Sequence, residues 1–469
     1  MTASGLSLRI AQAIVATRYE DLPPRVVSAT KRSLLDAIGV MMAATTLGTG
    51  CEPFADLARE VGPGPCTLIG RGETATGALA ALANGALAHA IDFEDGHDGA
   101  PVHPNAVQIP AALAWAEMQG SVSGKAFITA LAIGCDLACR MGLSLVQDPA
   151  KLGWYPPPML AAYGATAACA KIAGLNAEQI VDAFSLLLCS SVCSGEIKYS
   201  PASDMRAVRD AFPAQASFQA VQLARAGVRG FDAPLEGNAG FFALYAGSKY
   251  EPDRLTRDLG KRFEGENLTF KIWPSCRGTH AAIEGALAIR AEIPGLLSRI
   301  EAIELTGHPV MAMLDAPHAA KRAPITAIDA KFSLPFTVAT AIVEGAVTLD
   351  SFEPAALKNP TILSVAERVS FSPLDGLASG AIASGGIRIR LAGGDTRERF
   401  VAIPKGSPAN PLSDEEIATK FWLCAQRATV AYDDTTIQTL IDQISRLQDI
   451  PYVQALAIRR QPIEQMAYT

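Results

Sequence analysis

No run of lysine or arginine stands out in this chain, and its charge leans acidic: 40 Lys and Arg against 47 Asp and Glu, a formal net charge of −7 at pH 7. A polyanion-binding protein needs a basic face, so nucleic acid is excluded as a partner. The first residues, Met-Thr-Ala-Ser-Gly-Leu-Ser-Leu-Arg-Ile, hold no basic stretch leading into an apolar core, which argues against a secretory signal. Long apolar stretches occur, but charges interrupt them. Asp136 and Arg140 fall inside Phe127–Val146, so that segment reads as a buried helix and no membrane partner is expected. The nine cysteines are odd in number and scattered; Cys135/Cys139 and Cys189/Cys193 stand four apart with no Cys-x-x-Cys spacing. They read as core thiols in a reducing cytoplasm and give no support to a zinc or iron–sulfur site. There is no internal repeat, low-complexity tract or long linker.

What is present is an alanine-rich, mostly helical pattern. At 469 residues the chain exceeds the usual single hydrophobic core, so two or three domains are expected. Residues 1–250 are helical in pattern, with helices over 25–44, 78–91, 109–118, 126–146, 160–173, 177–191 and 213–226. Small residues recur in them, which permits close helix–helix approach. After about residue 265 the character changes. Residues 299–307 alternate apolar and polar as a half-buried strand does, 368–372 look similar, and 386–391 with 397–403 form a hairpin. Helical patterns over 280–291, 330–347 and 360–366 fall between them, giving an α+β unit. Ser413-Asp414-Glu415-Glu416 then supplies a capping box, and helix is expected from there to the end, rejoining the first domain.

Histidines and acids are thinly spread, with one exception. Three of the six histidines, His89, His97 and His103, fall within 15 residues together with Asp92, Glu94, Asp95 and Asp98. Histidine titrates near neutral pH, and a carboxylate beside it orients the ring and shifts its pKa. Such a group, where a helix gives way to loop, is where proton transfer is expected. A metal site built from His89, Asp92, His97 and His103 is the alternative, but the spacing fits no defined metal motif.

Five segments resemble the MmgE/PrpD family of 2-methylcitrate dehydratases, cis-aconitate decarboxylases and iminodisuccinate epimerases. They are Ala88-His89-Ala90-Ile91-Asp92-Phe93-Glu94-Asp95 with His103-Pro104; Glu236-Gly237…Gly240-Phe241-Phe242; Lys271-Ile272-Trp273-Pro274-Ser275-Cys276-Arg277-Gly278-Thr279-His280; Ala330-Lys331-Phe332-Ser333-Leu334-Pro335-Phe336; and Pro404-Lys405-Gly406-Ser407-Pro408…Asn410-Pro411. They run in order across nearly the whole chain. The resemblance implies a mainly α protein: a large all-helical domain built from both chain ends (residues 1–266 and 406–469) with a smaller α+β lid domain inserted (residues 267–405). It also implies a homodimer and an active site between the domains that needs no metal or cofactor and handles small di- and tricarboxylates.

The resemblance marks Asp92, His103 and His280 as catalytic positions, although each also has a plain structural reading as a helix-end acid, a loop histidine and a core histidine. Departures from the family pattern are equally informative. Gly96 stands where relatives carry threonine, Tyr155 where they carry histidine, Arg206 where they carry lysine and Phe336 where they carry tyrosine. An arginine does not give up a proton in the physiological range, so Arg206 reads as a fixed carboxylate fork. Arg206 and Arg277 together suggest a pocket for two carboxylates. Lys198 is a candidate ammonium or a solvated loop lysine, and Arg209 and Lys271 either assist binding or pair within the fold. Asp95 is expected to brace the loop by accepting backbone N–H bonds. The expectation is a dehydratase-type lyase in which His103, held by Asp92, removes a proton next to a carboxylate. Arg206 and Arg277 hold the charge, and His280 or Tyr155 protonates the leaving hydroxyl or, in an epimerase, returns a proton to the opposite face. Epimerisation, decarboxylation and a binding protein without catalysis are the alternatives.

Overall fold

The structure is a computed structural model that describes residues 5–147, 151–200, 203–377, 381–456 and 458. Its first half is built from α1 (Leu6–Ala16), α2 (Pro24–Leu47), α3 (Glu52–Val61), α4 (Gly77–Ala88), α5 (Pro104–Gln119), α6 (Gly124–Ser144), α7 (Pro156–Ala173), α8 (Ala177–Ser190) and α9 (Ala211–Arg225). The start signals are local. Proline occupies the first turn of α2, α5 and α7, where no helical N–H is needed. Ser123 caps α6, and Asn176 with Gln179 forms a capping box on α8.

One expectation needs correction: the first 250 residues are not wholly helical. Strands β1 (Cys66–Leu68) and β2 (Glu73–Ala75) form a small antiparallel hairpin. Each is three residues long and β1 is buried throughout, so no alternation marks it in sequence. Thr67 is held there by the Glu117 carboxylate, through its N–H (2.7 Å) and its hydroxyl (2.5 Å).

Helix α7 runs through the middle of the helical body and packs against α5, α6, α8 and α9. Its crossing with α6 is a backbone contact. A Cβ on Gly134 would lie 2.4 Å from the Gly164 carbonyl oxygen, and one on Gly164 would lie 2.4 Å from that of Gly134. Helix α6 is long and apolar enough to cross a membrane, yet 89% of its apolar window is buried inside the protein. Its interrupting charges pair internally: Arg140 meets Asp136 at 2.7 Å and donates to the carbonyls of Arg257 and Arg262, each at 2.7 Å.

The second half holds a four-stranded sheet of β3 (Ile300–Gly307), β4 (Val369–Pro373), β5 (Gly385–Leu391) and β6 (Thr396–Val401), in the order β4-β3-β5-β6. Strands β3 and β4 are parallel, and β3–β5 and β5–β6 are antiparallel. Parallel neighbours need a long crossover, and helices α11 (Leu334–Glu344) and α12 (Pro360–Ala366) lie within it. Helix α10 (His280–Glu292) covers one face, while Glu304, Arg388 and Glu398 pair across the solvent side. The capping box forms as expected: the Glu416 N–H donates to Ser413 Oγ at 3.1 Å, and the Ser413 N–H to Glu416 Oε2 at 2.6 Å. It starts α13 (Asp414–Ala425), which returns with α14 (Asp434–Ser445) to pack on α2. Helix beyond Ile458 falls outside the described residues.

Substituting Gly134→Ala drives a methyl into the backbone of α7 and should cost about 1–3 kcal/mol of stability, read by urea unfolding. A variant as stable as the parent would contradict the close crossing.

Candidate active site

The site forms where α4 ends. Asp92 takes a left-handed backbone (φ 51°), a conformation aspartate tolerates better than most residues, and this turns the chain out of the helix. Further on, Pro104 opens α5 and leaves His103 as the residue before its first turn. The intervening loop folds back on itself: the His97 N–H donates to the Val102 carbonyl, and His97 Nδ1 accepts the Gly99 N–H at 3.0 Å. Gly96 pairs with Thr269 in a two-residue bridge, which joins the loop to the segment leading into the α+β half. A side chain at position 96 would press on the His103 ring, at 3.1 Å from Nδ1, so Gly96 makes room for that ring as well as lacking a hydroxyl.

The centre of the cluster is Glu94, which the sequence did not single out. Its Oε1 lies 2.5 Å from His89 Nδ1, 3.0 Å from His103 Nδ1, 3.6 Å from Lys271 Nζ and 3.9 Å from Arg209 Nη2. The expected His103–Asp92 pair is therefore not formed. His103 Nδ1 faces Glu94 and the Asp95 carbonyl (2.8 Å), while Asp92 Oδ1 is taken by Lys271 Nζ at 2.6 Å. Lys271 is long enough to reach across from the other half of the chain, and a buried carboxylate binds an ammonium in preference to a neutral ring. A carbonyl only accepts, so His103 carries its proton on Nδ1. That leaves the Nε2 lone pair without a partner among the described residues, on a ring that is 21% exposed.

Burial sets the protonation states. It pushes His103 and His89 well below the usual histidine range, against the opposing pull of Glu94 on His103, so both rings are neutral at neutral pH. Burial also works to lower Lys271, but Asp92 and Glu94 outweigh it and hold the ammonium above its ordinary pKa. Asp95 and Asp210 are pushed up to about 7 by burial. Asp95 does not brace the loop through backbone N–H groups as expected. Its carboxylate accepts from Asn105 Nδ2 at 2.6 Å, and its backbone carbonyl orients His103.

The remaining expected residues separate into two groups. Tyr155 joins the cluster through its hydroxyl, which accepts from Arg209 Nη1 at 3.0 Å; Arg209 itself is wholly buried and also faces Asp210 at 3.5 Å. Arg206 spends one arm on the Ile197 carbonyl (3.0 Å) and lies 4.4 Å over the Phe332 ring, while its Nη1 is buried without a partner among the described residues. Arg277 is not an open fork: Asp98 already grips it through both carboxylate oxygens, at 3.1 and 3.2 Å. His280 is wholly buried with both ring nitrogens engaged, Nδ1 by Arg277 Nη1 and Nε2 by the Ser275 carbonyl, each at 3.3 Å. It braces Arg277. Lys198 donates to the Leu152 carbonyl at 3.2 Å, and Phe336 is core, 6.3 Å from Phe352.

Two lysines that sequence reasoning missed frame the site, and Lys420 joins its two halves. Lys420 on α13 donates to the Phe93 carbonyl (2.6 Å) and the Lys271 carbonyl (3.0 Å) and pairs with Asp36 Oδ1 (2.6 Å). Lys331 donates to the Pro274 carbonyl (3.2 Å), its own carbonyl accepts the Cys276 N–H (2.9 Å), and burial pulls its pKa down to about 7. Lys331 stood inside a family-like motif; for Lys420 no local signal exists.

Ligand atoms of His89, Asp92 and Glu94 lie within 4.8 Å of one another, close enough to hold a metal ion. The Lys271 ammonium already supplies positive charge to both carboxylates, so the cluster is balanced by its own residues. An inner cavity of about 140 Å³ opens on Gly96, His103, Thr269, Lys271 and Arg277. A wider groove of about 860 Å³ lies elsewhere, walled by Ile325, Leu349, Phe352 and Leu357, with Lys331 the one member of the site's framework on its wall.

Residues 8–253 match the MmgE/PrpD N-terminal domain and residues 273–446 the MmgE/PrpD C-terminal domain. The chain belongs to the MmgE/PrpD family. It is similar to the cis-aconitate decarboxylase-like protein oryM of Aspergillus oryzae, 27% identical over 93% of each chain. It is also similar to the cis-aconitate decarboxylases of Aspergillus terreus (23% identical, 95% of this chain and 94% of that one) and Homo sapiens (24%, 96% and 93%).

Replacing Glu94→Gln keeps the shape but leaves Lys271 and Arg209 short of one buried negative charge. The expected loss is about 3 kcal/mol in urea unfolding, and a loss under about 1 kcal/mol would remove Glu94 from the centre of the network.

Proposed function

We propose that this protein is a lyase acting on the carbon next to a carboxylate of a small di- or tricarboxylic acid, with His103 as the proton-transferring group. One observation carries the reading: His103 is pinned through Nδ1 by the Asp95 carbonyl and Glu94, and its ring lines the inner cavity beside Lys271 and Arg277. A neutral imidazole so held is a base at neutral pH, and as imidazolium it returns the same proton.

Removing a proton beside a carboxylate places an electron pair that spreads onto the carboxylate oxygens, so cations must sit there in advance. Lys271 and Arg277 line the same cavity as His103 and are the residues for that task. Arg206, with one guanidinium arm unpartnered, suits a second carboxylate. Tyr155 accepts from Arg209 and so keeps its own O–H to donate, which makes it the candidate to protonate a departing hydroxyl. His280, with both nitrogens engaged, is assigned to positioning Arg277. Water elimination and loss of carbon dioxide both draw on these groups. Elimination expels hydroxide as water after the proton is taken. Decarboxylation sends the electrons of the broken C–C bond to carbon, which takes up a proton that His103 must first draw from solvent. The family supports either, and the relatives named cis-aconitate decarboxylase favour the second.

The test is incubation of cis-aconitate, 2-methylcitrate, citrate, citramalate, tartrate and iminodisuccinate with the protein in D₂O, followed by NMR. Deuterium next to a carboxylate together with loss of water or CO₂ is expected for one of them. Exchange without loss would instead identify an epimerase, and thermal stabilisation with neither would identify a binding protein. His103→Ala should lower turnover at least about 100-fold with the fold intact by circular dichroism. Because burial keeps the imidazole neutral, the acid limb of kcat/KM should lie below pH 6.5; a limb above 7 would point to another base.

A further inference from the structure

Asp98 is the one carboxylate of the cluster that stands at the edge of the site instead of inside it, with its side chain 17% exposed. It lines the inner cavity that holds His103 and also an outer cavity of about 400 Å³ walled by Ser384, Pro404 and Ser407. His97 and Asp98 are common to both linings, so Asp98 stands at the neck between the two cavities, and its partner Arg277 lines the inner one.

Arg277 has five N–H donors, and all are used. Nε and Nη2 meet the two Asp98 oxygens at 3.1 and 3.2 Å, and Nη2 also meets Ser407 Oγ at 2.5 Å. Nη1 donates to the Lys405 carbonyl (3.0 Å) and meets His280 Nδ1 (3.3 Å). The Ser407, Lys405 and His280 contacts keep the plane of the guanidinium fixed. Asp98 lines both cavities, and Ser407 lines the outer one. A carboxylate from solution fits the same fork with the same geometry, and reaches it only by taking the place of Asp98.

We propose that Asp98 is an internal competitor for the Arg277 fork, a built-in carboxylate that a polycarboxylate ligand must displace to enter, so that only an acid able to bind Arg277 bidentately opens the neck. The inference rests on the lyase reading for the identity of the ligand, but the competition itself is a matter of binding. A tethered carboxylate acts at a high effective concentration, and the apparent ligand affinity falls by the fraction of time the fork is free. A fork closed about nine-tenths of the time weakens binding about tenfold.

The experiment is calorimetric titration with tricarballylate, a saturated tricarboxylate with no hydroxyl to lose, at fixed ionic strength. Asp98→Asn and Asp98→Ser should each tighten binding about 5–10-fold, the reverse of what loss of a binding or merely structural residue produces. In an Arg277→Gln background Asp98→Asn should give no gain, because the competition runs through that guanidinium. Unchanged or weaker binding in both Asp98 variants overturns the proposal. So does a gain that persists without Arg277, which would be through-space relief of negative charge. Failure of tricarballylate to bind any variant overturns it too, while proton exchange in D₂O decides the lyase reading independently.

Discussion

A single carboxylate oxygen, Glu94 Oε1, is the point on which the architecture of this site turns. Two imidazoles, an ammonium and a guanidinium converge on it from different parts of the chain, and all but His103 are wholly buried. Charges out of water are costly unless opposite signs meet with their hydrogen bonds filled. Asp92, Glu94 and Asp210 therefore stand against Lys271 and Arg209 as one unit, and displacing any one of them strands the others. That requirement fixes the end of α4, the start of α5, the 209–210 turn and the 271 segment relative to one another with little freedom.

The same constraint explains why the helical framework is so closely built. The Gly134–Gly164 crossing brings α6 and α7 into backbone contact, and α5, which begins with the His103 loop, packs against α7. Lys420 then ties the loop and the 271 segment to α13 and α2 through three acceptors. A site held from behind in this way is preorganised: its dipoles and charges are set before a ligand arrives and need not reorient as charge develops. The edge of the site differs. There Asp98 and Arg277 are paired but partly exposed, which places the exchangeable contact where a ligand enters and the permanent contacts where none does.

Much of the fold was legible because its signals are local. Helix starts at Pro24, Asn176 and Ser413 depend on residues within one turn, and the hairpin of β5 and β6 on two alternating runs about a glycine-rich turn, whereas α5 and α7 begin at Pro104 and Pro156, ahead of the starts expected at 109 and 160. The β1–β2 hairpin escaped notice because a strand of three residues buried on both faces has no period to detect. At the site, the crowding of histidines and acids between residues 89 and 103 was visible, and so was the second contributing segment from Lys271 to His280. The pairing within it was not. Asp92 and Glu94 are equivalent in sequence, and which of them meets His103 depends on a left-handed turn at Asp92 and on Lys271 arriving from 179 residues away.

The sequence by itself determined the family, the mainly helical class and the stretch of chain in which histidines and acids crowd together, because these follow from composition, periodicity and motifs read within a few residues. The tertiary structure alone decided the contacts. It pinned His103 through Nδ1, engaged both ring nitrogens of His280, and closed the Arg277 fork with Asp98. Tautomer, burial and partner choice are set by groups far apart in the chain and brought within 4 Å in space, and no local pattern encodes that distance.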